Sequence, residues 1–307
     1  MKNLEEIFIS AIVVVHDNER ILAKMLEALH AKLASLFKYF EIIIVDNFSC
    51  DNTADILKKL QLSISIITLS RWHTSQSALT AGIDFAIGDY LLEIPVISSN
   101  VDFNAIEELY HTCQQGNDFV FLVPEKTQMT SKLFYRLMNN YYKGQTSGQF
   151  VSSLMTLSSR RGQNKTADVG ARIVNRNVTY LLTGLKIATV KSKMPNDSHR
   201  SFRENFDLMT DTLIFHTDYI STLAFRASLV FFCLCMLAIA YSLVMFFLIN
   251  TTPGWASTFI LIAIGFGALF SFFALICKYL SNLIKIQLPK NYTFGALEKK
   301  ESRGDFR

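Results

Sequence analysis

Between Phe8 and Val123 the apolar positions switch back and forth between two spacings. Phe8–Val15 is a nearly continuous apolar, β-branched run, the pattern of a strand buried on both faces. Glu19–Phe37 then takes helical spacing, with Ile21, Leu22, Met25, Leu26, Leu29, Leu33 and Leu36 on one stripe. Glu41–Val45 is a second buried strand, closed by Asp46-Asn47-Phe48-Ser49-Cys50-Asp51-Asn52-Thr53, a turn rich in helix-capping side chains. Ala54–Leu60 is helical, Ile64–Thr68 a third strand, Ser75–Ile87 a helix and Tyr90–Ile94 a fourth strand. Asn104–Gln114 is a helix and Asp118–Val123 a fifth strand. Alternation at this pace predicts an α/β fold, a mostly parallel sheet with helices on both faces. No internal repeat or low-complexity segment interrupts it.

Near the C-terminus the pattern changes. Ala227–Ile249 and Trp255–Ile276 contain no charged side chain. At about 1.5 Å rise per residue each spans roughly 33 Å, the thickness of a bilayer core. A buried hairpin in a soluble protein rarely keeps runs this long free of charge, so both are predicted to cross a membrane. Only Asn250-Thr251-Thr252-Pro253-Gly254 separates them, which makes a tight hairpin. The turn carries no Lys or Arg, whereas Arg203 and Arg226 precede the pair and Lys278, Lys285, Lys290, Lys299, Lys300, Arg303 and Arg307 follow it. Positive flanks stay cytoplasmic, so an inner-membrane protein with both termini in the cytoplasm is expected. Met1–Glu6 is polar and the run after it is strand-like, so no signal peptide is expected. The predicted organisation is a cytosolic domain over 1–226, a hairpin over 227–276 and a basic cytosolic tail over 277–307. Within the domain, Thr130–Tyr142 places Leu133, Phe134, Leu137, Met138 and Tyr141 on one side, with Lys132 and Arg136 placed to reach headgroups. That suits an interfacial helix as well as an ordinary packed one.

Composition narrows the chemistry. The chain has 307 residues, 50% apolar and only 18% charged, and the apolar excess sits in the hairpin. A formal net charge of +4 is too small and dispersed for nucleic-acid binding, and basic residues near the hairpin suit anionic lipid. Cys233 and Cys235, two apart on a helix, do not face one another, and Cys50, Cys113 and Cys277 lie far apart, so reduced thiols are expected. The six histidines show no HxH or HxxxH spacing, which argues against zinc.

In sheets of this kind ligands bind beyond the carboxyl ends of the strands, and polar residues collect there. His16, Asp17, Asn18 and Glu19 follow the first strand. Asp46, Asn47 and Ser49 follow the second, and Ser70, Arg71, Trp72 and His73 the third. A carboxylate at a strand end can take ribose hydroxyls or a base N–H, and an arginine beside it can hold a diphosphate through its planar fork. Asp51 and Asn52 read more simply as caps. Glu19, Asp46 and Arg71 are therefore predicted to line one crevice.

The order of these segments resembles the family 2 glycosyltransferases of GT-A fold, and within them the membrane-anchored polyprenyl-phosphate sugar synthases of the dolichol-phosphate mannose synthase and bactoprenol glucosyltransferase type. Val15-His16-Asp17-Asn18-Glu19 stands where those proteins have Pro-x-Tyr-Asn-Glu. Glu41–Thr53 is similar to their EIIVVDDGSxDGT. Leu69-Ser70-Arg71 and Ala78–Asp89 are similar to their LSRN…ALTAGLDxAxGD. The segment Ser131–Leu137 resembles their amphipathic helix, and Tyr279-Leu280, Pro289 and Tyr292 the segment after their paired membrane helices. The resemblance implies a nucleotide-sugar donor held by Asn18, Glu19, Asp46, Asn47, Ser49 and Arg71, and a polyprenyl-phosphate acceptor. It also implies a divalent cation, Mg2+ or Mn2+, on the donor diphosphate. The family's Gly-Asp-Phe-Arg-Leu near the acceptor is reduced to Asp168–Ile173, which leaves Asp168 and Arg172 as the catalytic candidates.

One departure is serious. Where the family places a metal-binding Asp-x-Asp, this chain has Pro95-Val96-Ile97, which cannot ligate a hard cation. Glu93, Asn100 and Asp102 are the nearby groups able to substitute, and Asn47 replaces a second carboxylate. Two functions of different class follow. One is sugar transfer from a nucleotide donor to a polyprenyl phosphate at the cytoplasmic face, where the acceptor is already an anion and catalysis depends on positioning and leaving-group stabilisation. Arg71, Arg160, Arg161 and Arg172 would then take over electrostatic work of the metal. The other is a non-catalytic relative acting as partner or regulator of another membrane glycosyltransferase. A homo-oligomer or a partner membrane protein fits either. A transporter does not, because the hairpin has no internal charge.

Overall fold

The computed structural model describes residues 4–97, 101–125, 129–144, 146, 148–169, 173–193, 210–212, 217, 219–248, 254–286 and 294–300. They form two compact units, one of 1–208 with 289–307 and the other of 209–288.

The first unit is built on one sheet of eight strands: β1 (Glu5–Val15), β2 (Phe37–Asp46), β3 (Ile64–Leu69), β4 (Tyr90–Ile94), β5 (Phe119–Val123), β6 (Met155–Ser159), β7 (Ile187–Lys191) and β8 (Phe294–Lys300). Their order across the sheet is β7-β5-β6-β4-β1-β2-β3-β8. β1 pairs in parallel with β2 and β4, β2 with β3, and β5 with β7, while β6 runs antiparallel between β4 and β5 and β8 runs antiparallel along β3. The five buried runs of the sequence are thus the first five strands. The sheet is mixed because β6 enters it backwards, and the chain after the hairpin, expected as a basic tail, supplies β8.

Strand period two divides the core. Ile9, Ala11, Val13 and Val15 face one layer, formed by α1 (Leu22–Leu36), α2 (Thr53–Lys59) and α4 (Ala105–Gln114), and Ile12 and Val14 face the other, under α3 (Ser75–Phe85). α3 lies so close that a Cβ on Gly82 would stand 2.4 Å from Ile12 Cγ2 and 2.9 Å from Val45 Cγ2. The helix stops at Ala86, which turns extended (φ −67°, ψ 135°) while its N–H still bonds back to Gly82 and Ile83. α5 (Met129–Tyr141), α6 (Arg160–Val169) and α7 (Arg176–Leu182) complete the unit. α5 buries Phe134 and Met138 and exposes Lys132 and Arg136. Two of the side chains expected at a membrane surface are therefore packed inside, and Leu133 lies outside the described side chains.

The second unit contains α8 (Tyr219–Leu248) and α9 (Trp255–Ile286), of 30 and 32 residues. Within them Thr222–Met245 and Ser257–Leu280 are long and apolar enough to span a membrane, with only 11% and 17% of their most apolar windows buried. The helices pack on each other through stacked Phe231 and Phe270, 4.4 Å between ring centroids, and through Gly267 against Cys235.

Candidate functional site

The loops after β1 and β2 are zipped together by their own polar groups. Asp17 Oδ1 accepts from the N–H groups of Cys50 (2.7 Å) and Asp51 (3.3 Å), and the Asp17 N–H donates to Ser49 Oγ (3.1 Å). The Asn18 N–H donates to Thr53 Oγ1 (3.0 Å), while Asn18 Oδ1 accepts from the His16 N–H (2.9 Å). Glu19 donates its N–H to Asp51 Oδ2 (3.0 Å), and its Oε2 accepts from the Asn52 N–H (3.2 Å) and side-chain amide (3.0 Å). Burial works against the Asp51 charge, but hydrogen bonds from Thr53 and the Glu19 N–H bring its pKa below the ordinary aspartate value. Two non-glycine residues sit in the left-handed region here, Asp17 at φ 50° and Phe48 at φ 63°. Phe48 stands at the glycine of the resembling motif, and strain of this kind collects at functional loops.

Asp46 ends β2, buried, with Oδ1 accepting from the Ser49 N–H (3.0 Å). Asn47 beside it clamps the loop after β3. Its Nδ2 donates to the His73 carbonyl (2.7 Å) and its Oδ1 accepts from the His73 N–H (2.9 Å). A carboxylate could accept but not donate, so asparagine here is a two-point latch. His73 Nδ1 lies 2.6 Å from the Arg71 carbonyl, which makes it the protonated nitrogen and leaves Nε2 an acceptor. That Nε2 is buried without a partner. Arg71 itself is exposed. The structure therefore brings Asn18, Glu19, Asp46, Asn47, Ser49 and Arg71 to one set of strand-end loops, but Glu19 and Asn47 tie those loops together instead of standing free.

A second polar cluster closes the carboxyl end of β4. Glu93 Oε1 accepts from Gln163 Nε2 (2.8 Å) and, through a very short bond, from the Tyr180 hydroxyl, and Oε2 accepts from Arg176 Nε (3.2 Å). The Arg176 guanidinium also reaches the Tyr180 hydroxyl (2.6 Å), Gln163 Oε1 (2.7 Å) and Thr80 Oγ1 (3.1 Å). Burial raises the Glu93 pKa, with Arg176, Tyr180 and Gln163 offsetting it only in part, and Arg176 stays protonated. A small cleft of about 30 Å³ opens on this cluster, with Pro95 in its wall. Sequence reasoning missed Gln163, Arg176 and Tyr180. The signal was there in outline: a lone carboxylate inside a buried strand requires a cation, and Arg176 with Tyr180 forms an i,i+4 pair on a short helix.

These residues do not fit a divalent cation. Glu93 is taken up by three donors, and Asp102 Oδ2 accepts from the Lys193 N–H (3.2 Å). Pro95-Val96-Ile97 offers no side-chain oxygen, and among the described residues no three His, Cys, Asp or Glu side chains gather as ligands. Asn100 lies outside the described residues. Glu93, one of the groups able to substitute as a metal ligand, is instead the anion of an internal pair.

The remaining candidates are dispersed. Asp168 is exposed at the end of α6 and pairs with Lys165 (3.4 Å), while Arg172 lies outside the described residues. Arg160 donates to the carbonyls of Ala86 and Gly88, and Arg161 pairs with Asp118 at 2.6 Å. Both bonds are at the amino ends of β4 and β5, the wrong end of the sheet for a leaving diphosphate. That removes Arg160 and Arg161 as stand-ins for a metal.

The family model described as glycosyl transferase family 2 matches residues 10–167, half of the chain, from β1 through the crevice loops to α6. The chain belongs to glycosyl transferase family 2. Among curated relatives, an undecaprenyl-phosphate 4-deoxy-4-formamido-L-arabinose transferase of Edwardsiella ictaluri is 26% identical over 125 residues, 39% of this chain and 38% of the relative. The uncharacterized glycosyltransferase YkcC of Bacillus subtilis is 26% identical over 140 residues, 42% of this chain and 43% of its own. The chain thus spans less than half the length of the curated relatives it matches. The fold is that of glucosyl-3-phosphoglycerate synthase of Mycobacterium tuberculosis, solved with Mn2+, uridine diphosphate and phosphoglyceric acid, at a TM-score of 0.53 and 15% identity, covering 68% of this chain and 76% of that one. It is a GT-A fold carrying two apolar helices able to span a membrane.

Proposed function

We propose that this family 2 protein moves a sugar from a nucleotide donor to a polyprenyl phosphate at the cytoplasmic face of a membrane. The observation that carries the reading is the union, in one chain, of a family 2 domain and two long, largely unburied apolar helices. Undecaprenyl-phosphate sugar transferases stand among its relatives. The crevice after β1, β2 and β3 offers the donor buried Asp46, exposed Arg71 for a diphosphate, and the unpartnered Nε2 of His73 as acceptor for a base N–H. Asp168 and Arg172 are assigned to the acceptor side on the family motif. Topology has independent support: β1 and β8 belong to one sheet, so the chain between them crosses any membrane an even number of times. With the basic flanks, both termini fall in the cytoplasm. The test is transfer of labelled sugar from a panel of nucleotide sugars to undecaprenyl phosphate by the full chain in lipid nanodiscs. Labelled lipid, lost in Asp46→Ala, is the expected result, and no transfer with any donor would remove the reading.

A second reading has its own observation. Pro95-Val96-Ile97 and the locked Glu93 leave the family's metal position without ligands, which suits a protein that keeps the fold and acts as partner or regulator of another membrane glycosyltransferase. Nucleotide binding without turnover, with transfer restored by a co-purified membrane protein, would favour it.

A further inference from the structure

The resembling motif places its metal-binding acids at the carboxyl end of β4, where this chain has Pro95-Val96-Ile97. What stands at that strand end is a cation of the protein's own. Arg176, the first residue of α7, is only 2% exposed. Its Nε donates to Glu93 Oε2 (3.2 Å) and to the Tyr180 hydroxyl (2.6 Å), one terminal nitrogen to Thr80 Oγ1 (3.1 Å) and the other to Gln163 Oε1 (2.7 Å). All three guanidinium nitrogens are thus engaged, by groups on β4, α3, α6 and α7. Glu93 is held as fully: Oε1 accepts from Gln163 Nε2 (2.8 Å) and the Tyr180 hydroxyl, and Oε2 takes the arginine. Glu93 precedes Pro95 by two residues, about 7 Å along an extended chain and on the same face. A dication arriving beside Pro95 would meet a guanidinium and an occupied carboxylate. The cleft there, about 30 Å³, has room for about one water molecule.

We infer that Arg176 is a resident cation that has taken the place of an exchangeable dication: it keeps metal away from the end of β4, and nucleotide binding proceeds without one. The nucleotide half rests on the donor reading proposed above, whereas the metal half stands on the geometry of this cluster. Two effects of the arginine exclude a metal. Its charge repels a dication a few ångströms away, and its Nε–H occupies the Glu93 oxygen that would otherwise be open. Both vanish with the arginine, which leaves the Glu93 charge unneutralised and open to sharing with a dication. An acid restored at position 95 is therefore not enough to rebuild a site; Arg176 must also go. The arginine is a positioning residue. Buried and saturated, it ties β4 to three helices and does not reach the donor, whose diphosphate is left to exposed Arg71.

The experiment follows free Mn2+ by electron paramagnetic resonance, with the full chain in phosphatidylcholine nanodiscs and empty discs as the blank. The parent should leave the signal unchanged, both alone and with UDP, GDP or dTDP, each compared with the same nucleotide without protein. Pro95→Asp should leave it unchanged too. Pro95→Asp combined with Arg176→Met should bind Mn2+ at least about tenfold more tightly than Pro95→Asp alone, measured below its melting temperature. A stoichiometric manganese site in the parent would overturn the inference, and so would equal behaviour of Pro95→Asp with and without Arg176. If the double variant does not fold, the parent and Pro95→Asp decide, because manganese on either one refutes exclusion by the arginine. Calorimetry with the same three nucleotides keeps the donor reading separate. Equal binding in Mn2+ and in EDTA is expected, and binding that requires Mn2+ would overturn the nucleotide half. No binding by any nucleotide would refute the donor reading while the manganese comparison stands.

Discussion

Glu93 and Arg176 make the sharpest prediction because each is buried and each depends on the other. In Arg176→Met the Glu93 carboxylate loses its one cation, the ion pair of 3.2 Å, while its bonds from Tyr180 and Gln163 remain. Breaking a buried pair by removing one partner costs about 3–5 kcal/mol. For a domain of this size each kcal/mol lowers the melting temperature by about 2–4 °C, so a fall of roughly 10 °C is expected. Glu93→Gln keeps an acceptor for Tyr180 but leaves the guanidinium without a counter-charge, with a cost of the same order. The double variant carries neither charge and should be more stable than Arg176→Met by about 2 kcal/mol, a non-additivity that marks direct interaction. Acidity provides a second readout. Burial already raises the Glu93 pKa, and without Arg176 it rises further. A carboxyl whose folded pKa lies above its unfolded value stabilises the fold fully below the unfolded value, near pH 4.3, and loses that contribution as pH rises through the folded one. Arg176→Met should therefore recover stability relative to the parent as pH falls through the raised folded value towards the unfolded one. Melting followed by near-ultraviolet circular dichroism of the full chain, with hydrogen exchange on α7 and β4, measures both effects. A melting shift under about 2 °C in Arg176→Met, or additive costs in the double variant, would refute the reasoning.

Other positions test the rest of the frame. Asn47→Asp sets a carboxylate against the His73 carbonyl in place of a 2.7 Å hydrogen bond and should cost about 1–3 kcal/mol at pH 8, with recovery on acidification; a neutral effect on melting would show that the latch is unimportant. Gly82→Ala drives a methyl to 2.4 Å from Ile12 Cγ2 and should destabilise by about 1–3 kcal/mol, whereas Gly265→Ala, where a Cβ meets nothing within 4 Å, serves as the tolerated control. Burial opposes the charge of Asp118, but Arg161 and Ser159 hold its pKa below the ordinary aspartate value. Its contribution is present above about pH 4 and lost as pH falls through the folded value, so Asp118→Asn should flatten the acid limb of the stability curve. Nucleotide affinity measured with Mg2+, Mn2+ or EDTA should differ by less than about twofold, and a tenfold gain with metal would mean that ligands assemble on binding.

The order of elements was legible because strands buried on both faces are written as unbroken apolar runs, and Phe8–Val15 or Glu41–Val45 has no competing reading. β6, with the sequence MTLSS, and β7, with IATVK, are short and hydroxyl-bearing, and no periodicity separates them from loops. β8 reads as charged tail because an edge strand tolerates a sequence such as Glu298-Lys299-Lys300. The strand-end residues were found by their place after buried runs, but their roles were not. Glu19 and Asp51 differ in sequence only as two acids in loops, and contacts made 32 and 33 residues away decide that both fasten the crevice. The β4 cluster was harder still, since the partners of Glu93 lie 70, 83 and 87 positions along the chain.

The pairing of β8 with β3 places the order of synthesis inside the architecture. β3 is complete when residue 69 has been made, yet its outer edge waits for residues 294–300. At bacterial or eukaryotic elongation speeds that interval is roughly 10–50 s, and within it both apolar helices leave the ribosome. During this time the row of N–H and C=O groups along Ile64–Leu69 lies open to other strands. A chain whose apolar hairpin is slow to reach its final place therefore keeps an adhesive sheet edge for longer. The sheet edge is sealed by a segment that follows the two apolar helices, so a delay in placing those helices should appear as aggregation of the domain.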